Sequence, residues 1–124
     1  LTCYMLLPTG LALRPPMVQG DGLCAQLVRW LYTTDTPTNV CPSIHVFNSV
    51  TLALAYRRSQ IFAGANRRWL RAASYGLCIA ICASTMLLKQ HSCIDVAFGL
   101  ALAFAMDSAA RALWRRKAWE KRLA

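Results

Sequence analysis

The feature that most limits the fold is a set of apolar runs fenced by basic residues. Residues 72–88 hold no charged side chain, and residues 93–106 hold one, Asp95, with apolar character continuing toward Trp114. A third run opens at Cys41-Pro42-Ser43, where Ser43 is placed to cap a helix, and ends near Phe62-Ala63-Gly64. Crossing a hydrocarbon core of ~30 Å takes about 20 residues. The third run reaches that length only if Arg57 and Arg58 extend their stems to the interface. None of the runs is a full span by itself, but the series predicts an all-α integral membrane helical bundle with three spans.

Residues 1–13 read as the end of an earlier span, loosened by Pro8 and Gly10. Arg14-Pro15-Pro16 then forces an extended exit. Residues 17–42 form a polar connection. Within it Leu23, Leu27, Val28 and Leu31 are spaced for a short amphipathic helix lying on a bilayer surface. A connection of that length with little regular structure is more often functional than decorative. The chain begins at Leu1, already inside an apolar stretch, so residues 1–124 read as the C-terminal part of a single transmembrane domain.

Charge placement decides between two classes of partner. Fourteen Lys and Arg against five Asp and Glu give a net charge of +9, which in a soluble protein favours nucleic acid. Here two basic residues fall at 57–58, three at 67–71 and six between 111 and 122, each group at the edge of an apolar run. No aromatic-interleaved basic surface and no nucleic-acid motif accompanies them. The groups at 67–71 and 111–122 are separated by two runs, so they share one side, cytoplasmic by the positive-inside rule. The other side keeps Arg14, Arg29, Lys89 and both histidines, His45 and His91. The six cysteines show no C-x-x-C and no metal-ligand spacing; Cys78 and Cys82, a turn apart, read as small packing residues.

His91 and Asp95 are four residues apart, which on a helix lets the carboxylate reach the ring. A carboxylate on one imidazole nitrogen leaves the other basic and aimed, as a nucleophile or general base requires. The same pair alone could equally be a satisfied polar contact at a helix start. His45, on the same side, has no such carboxylate partner. That asymmetry suits a nucleophile and an acid.

The surrounding residues resemble the signature motifs of the type 2 phosphatidic acid phosphatase superfamily. Pro42, Ser43 and His45 match its P-S-G-H motif with Ile44 in place of glycine. Ser84, His91 and Asp95 match S-R-x-x-x-x-x-H-x-x-x-D in register, with Thr85 where the arginine stands. Arg14-Pro15 would supply the R-P of K-x-x-x-x-x-x-R-P, with Leu7 at the lysine. The form P-S-x-H-V followed by H-x-x-x-D-V is most similar to the branch of inositol phosphorylceramide synthases. The resemblance runs from about Pro8 to Gly99.

It implies phosphoryl transfer through a phosphohistidine without metal or other cofactor. His91 would be the nucleophile, Asp95 would orient it, and His45 would protonate the departing oxygen and then activate the acceptor. Arg14, Ser43, Lys89 and Ser84 would hold phosphate oxygens. Leu7 and Thr85 remove two of the family's three cations, and Lys89 is the natural substitute, as a point charge without the arginine fork. Blander readings stand beside these: Ser43 as a helix cap, Arg14 as a headgroup anchor, Lys89 as an interfacial stem, and Asp35 and Asn39 as turn formers. The expected activity is a membrane lipid phosphatase with its site on the extracytoplasmic side, its partners a lipid phosphate and membrane lipids and not nucleic acid. The alternatives are transfer to another alcohol, as in inositol phosphorylceramide synthesis, and a catalytically impaired protein that keeps the fold. A soluble secreted phosphatase is disfavoured by the flanking arginines. The pattern carries no reading of oligomeric state.

Overall fold

The computed structural model describes residues 6, 9–10, 12–35, 38, 40–59 and 67–123, with side chains as far as 116. Four helices account for most of them: α1 (Leu23–Thr34), α2 (Ile44–Arg58), α3 (Arg68–Leu87) and α4 (Cys93–Leu123). Among the described residues there is no strand, only one isolated antiparallel bridge between Gly10 and Thr38. The all-helical class is as the sequence predicts. The expected end of an earlier span at 1–13 falls largely outside the described residues, as do Leu7, Asn39 and the expected end of the third run at 62–64.

α2 is the shared element, packed against both α3 and α4. Val46, Val50, Ala53 and Leu54 recur at helical spacing on one buried face. That face meets Val96 and Ala103 of α4, with Phe47, Cys78, Cys82 and Leu100 closing around it. Gly99 lets the two helices approach. A Cβ built there would lie 2.9 Å from the Ser43 carbonyl oxygen and 3.2 Å from Val46 Cβ. Ser43 caps α2 as expected, its Oγ accepting from Val46 N–H at 3.4 Å, and its own N–H donates to the Asp95 carbonyl at 3.1 Å. The N-termini of α2 and α4 are therefore tied backbone to backbone.

Two helices are long and apolar enough to cross a membrane, α3 with 20 residues and the stretch Cys93–Arg116 of α4 with 24. α2 has 15 residues, about 22 Å at 1.5 Å per residue. So two of the three expected spans reach full length among the described residues. Only 6 % of α3 and 22 % of the α4 stretch are buried within the molecule. A core helix of a soluble domain would be mostly covered. Here Leu77, Ile79, Phe98 and Phe104 face outward, which makes lipid the fitting solvent for them.

α1 is the short amphipathic helix the sequence predicts, and none of its residues is buried. Arg29 donates to the Val18 carbonyl at 3.2 Å and holds the preceding loop against it. At its other end Asp35 N–H donates to the Leu31 carbonyl at 2.8 Å, which turns the Asp35 side chain toward Arg14.

Candidate active site

The turn between α3 and α4 sets His91. Lys89 N–H donates to the Met86 carbonyl at 3.0 Å and Gln90 N–H to the Thr85 carbonyl at 3.0 Å, the paired bonds of a Schellman helix end. Lys89 occupies the left-handed position of that motif with φ 51. The next amide, His91 N–H, also donates to the Thr85 carbonyl, at 3.2 Å. His91 thus hangs from the end of α3 rather than standing on α4.

That corrects the geometry expected for His91 and Asp95. Their spacing of four places a carboxylate against a ring only when both residues are helical, and α4 starts at Cys93. Asp95 Oδ2 instead accepts from Ser92 N–H at 2.7 Å and Ser92 Oγ–H at 2.8 Å, while Ser92 Oγ faces Asp95 N–H at 3.3 Å. This is a capping box at the first turn of α4. The Asp95 charge still bears on the ring, but no hydrogen bond joins them; His91 Nδ1 is buried without a hydrogen-bond partner among the described residues.

What His91 does meet is His45. Its Nε2 lies 3.3 Å from His45 Nδ1, with ring centroids 5.5 Å apart and planes at 61°. His91 is 7 % exposed and His45 lies open at the surface. Burial first, then the neighbouring His45, pushes the His91 pKa below the ordinary histidine value; the Val40 backbone and the Asp95 and Asp35 carboxylates pull the other way. The balance keeps His91 a neutral base, and its buried, unpartnered Nδ1 leaves open which nitrogen bears the proton.

Arg14 reaches the same region. Its Nη2 donates to Asp35 Oδ2 at 2.7 Å, its Nη1 donates to the Asp35 carbonyl, and its guanidinium lies 4.7 Å over the Tyr32 ring. Tyr32 OH donates to the Leu88 carbonyl at 2.8 Å, and Gln90 Nε2 donates to Asp35 Oδ2 at 3.1 Å. Arg14 is thereby coupled through Asp35 and Gln90 to the residue before His91. Its Nε is buried with no hydrogen-bond partner among the described residues.

The other expected phosphate ligands are placed less directly. Ser43 is fully buried and serves as the α2 cap. Ser84 Oγ–H donates to the Ile81 carbonyl at 2.9 Å, so its proton is turned back into α3. Thr85, where the family carries arginine, is 2 % exposed and donates to the Cys82 carbonyl. Lys89 is exposed on the turn. Sequence reasoning did not single out Tyr32 or Gln90, and read Asp35 as a turn former with a role in shaping the pocket left open. A glutamine beside the histidine at the boundary of an apolar run was the available signal; Tyr32, 56 residues from its partner, left none. Among the described residues no three His, Cys, Asp or Glu group as a metal site.

Two membrane-length helices packed with a shorter third, and a pair of histidines where their ends meet, define the class as an all-helical, membrane-type bundle. The PAP2 superfamily model matches residues 11–119, and the chain belongs to that superfamily. Its members are phosphatases or related phosphotransferases. No curated protein and no solved structure matches the chain.

Proposed function

We propose that this protein is a lipid phosphatase that transfers a phosphoryl group from a lipid phosphate to water through a phosphohistidine on His91, on the extracytoplasmic side of the membrane. The observation that carries the reading is the 3.3 Å approach of His45 and His91, one exposed and one buried with a lowered pKa. A neutral imidazole is a competent nucleophile, and the exposed outer ring is placed to carry protons to and from solvent. Substrate phosphorus takes the space between the rings as His45 swings outward. The His91 lone pair forms a P–N bond, the P–O bond to the lipid breaks, and His45 gives its proton to the departing oxygen. His45 then takes a proton from water, which attacks phosphorus and frees His91. Arg14 Nε donates to a non-bridging oxygen, and Lys89 supplies a second cation from the turn.

One observation favours a second reading, transfer to a lipid alcohol from a phosphodiester donor. Arg14 is already neutralised by Asp35, and Thr85 supplies no cation. A singly charged diester needs less positive charge than a doubly charged monoester. Purified protein in detergent tests both. Phosphate release from a dialkyl phosphatidate that is lost in His91→Ala supports hydrolysis, and acid-labile, alkali-stable labelling in His45→Ala supports the phosphohistidine. Headgroup transfer from a diester without phosphate release selects the second reading. Equal, near-zero turnover of every donor by wild type and His91→Ala overturns both and leaves an impaired protein with the family's fold.

A further inference from the structure

At the end of the bundle far from the histidines, Arg57, Arg58 and Arg111 gather around one acid, Asp107. Arg58, in the last turn of α2, grips Asp107 of α4 through both guanidinium nitrogens, and Arg111 Nη2 reaches the same carboxylate at 3.3 Å. Arg57 also bears on it. Asp107 is 9 % exposed, while Arg58 and Arg111 remain 38 % and 53 % exposed. One carboxylate thus orders two guanidinium groups but neutralises only one charge.

Beyond Asp107, Ser108, Arg111, Ala112 and Arg115 line an open cleft of about 270 Å³. Arg111 Nη2 donates to Ser108 Oγ at 3.0 Å, a bond that leaves the hydroxyl proton of Ser108 available to an acceptor. Ala112 forms a small floor. The cleft lies where the α4 surface changes character. Exposed Phe104 stands one turn before Ser108 on the same face of α4, and exposed Trp114 lies in the turn that carries Arg111 and Arg115, a pattern suited to the boundary between acyl chains and headgroups. Sixteen residues separate Asp95 from Arg111, about 24 Å along the helix, so this cleft is at the opposite end of the bundle from His91.

We propose that the Ser108–Arg111–Arg115 cleft binds the headgroup phosphate of an anionic phospholipid, with Arg58 and Asp107 holding Arg111 in position. Two guanidinium forks and a hydroxyl suit phosphate oxygens. Outward-facing Phe104, one turn before Ser108, gives an acyl chain an apolar surface, which free phosphate would not use. A diffuse basic surface would attract the same lipid without regard to which arginines were present; the cleft requires these two.

The test uses the full chain carrying His91→Ala, so that turnover cannot consume the lipid, with native mass spectrometry reading retained phosphatidylglycerol against phosphatidylcholine. The expected result is at least tenfold preference for phosphatidylglycerol, reduced fivefold or more by Arg111→Ala with Arg115→Ala. The charge-matched pair Arg67→Ala with Arg68→Ala should leave the preference within twofold. If the double variant does not fold, Arg115→Glu alone reads the same contact, with loss of preference expected. Equal loss in both pairs shows diffuse electrostatics and overturns the cleft. No preference in the parent protein overturns it too, as does full displacement of the lipid by millimolar inorganic phosphate. Because lipid retention is read without phosphoryl transfer, its outcome is independent of the proposed activity.

Discussion

The two ends of the bundle hold their polar groups in opposite ways. At the histidine end Ser43, Thr85, Gln90, His91 and Asp95 are all buried, and backbone groups satisfy most of them. At the arginine end the groups are charged, largely exposed and held by one shared carboxylate. Burial makes each polar atom costly to leave unpaired, so the two orphans near the histidines, Arg14 Nε and His91 Nδ1, are the informative atoms. Exposure makes the arginine end tolerant of losing a partner. Substitutions at the histidine end should therefore change chemistry or folding sharply, and those at the arginine end should change lipid preference.

The largest effect is expected from His91→Ala. Removal of a nucleophile costs on the order of 10³-fold or more in turnover, while the protein should stay folded: the void left by the ring lowers stability, but a buried nitrogen without a partner is removed with it. Phosphate release and a melting curve on one preparation check this. Turnover within tenfold of wild type would place the chemistry elsewhere.

How far the sequence foretold this contrast depends on the range of each interaction. The helices, the Ser43 cap and the nearness of two histidines at one end followed from apolar runs, a cap residue and charge at the run edges, all local signals. Asp95 was misread because a spacing of four has two outcomes. Ser92-Cys93-Ile94-Asp95 is itself a cap signature, and reading it would have placed His91 before the helix. The link from Arg14 through Asp35 to Gln90 spans 55 residues between Asp35 and Gln90, and no local pattern encodes it. Of the third run only α2, 15 residues ending at Arg58, is described, and its expected end at 62–64 lies outside the described residues.

Lys89 separates backbone from charge at the turn. At φ 51 a lysine is strained, and glycine is not. Lys89→Ala and Lys89→Gly both delete the cation and should both lower turnover by about 10–100-fold. Lys89→Gly should also raise stability by about 1 kcal/mol over Lys89→Ala. Full turnover in either variant would show that Lys89 serves only the turn.

Gly99→Ala probes the tie between α2 and α4. The added methyl meets the Ser43 carbonyl and Val46 Cβ, one backbone and one core atom, so the helices must part. Overpacking of this kind costs about 1–3 kcal/mol, and widening at Ser43 also separates His45 from His91. Melting temperature and turnover should fall together. Lost turnover with an unchanged melting temperature would mean that the helices yield without cost.

The smallest effect expected is also the most diagnostic for charge. Wild-type activity should keep its acid limb below the ~6.5 of an unperturbed histidine, since burial and His45 lower the His91 pKa. Asp35 opposes that shift, stabilising the protonated ring, and it also pairs Arg14. Asp35→Asn keeps an oxygen for Gln90 and Arg14 but removes the negative charge. The imidazolium loses a stabilising neighbour, so the acid limb should move to still lower pH. A phosphate anion loses a repelling neighbour and gains Arg14, so KM should fall a few-fold. Both changes have one electrostatic cause, and pH profiles of kcat and kcat/KM measure them together. A higher KM would instead show that the Asp35 charge is needed to hold Arg14 where the substrate meets it, and that the histidine end depends on its ion pair as the arginine end does on Asp107.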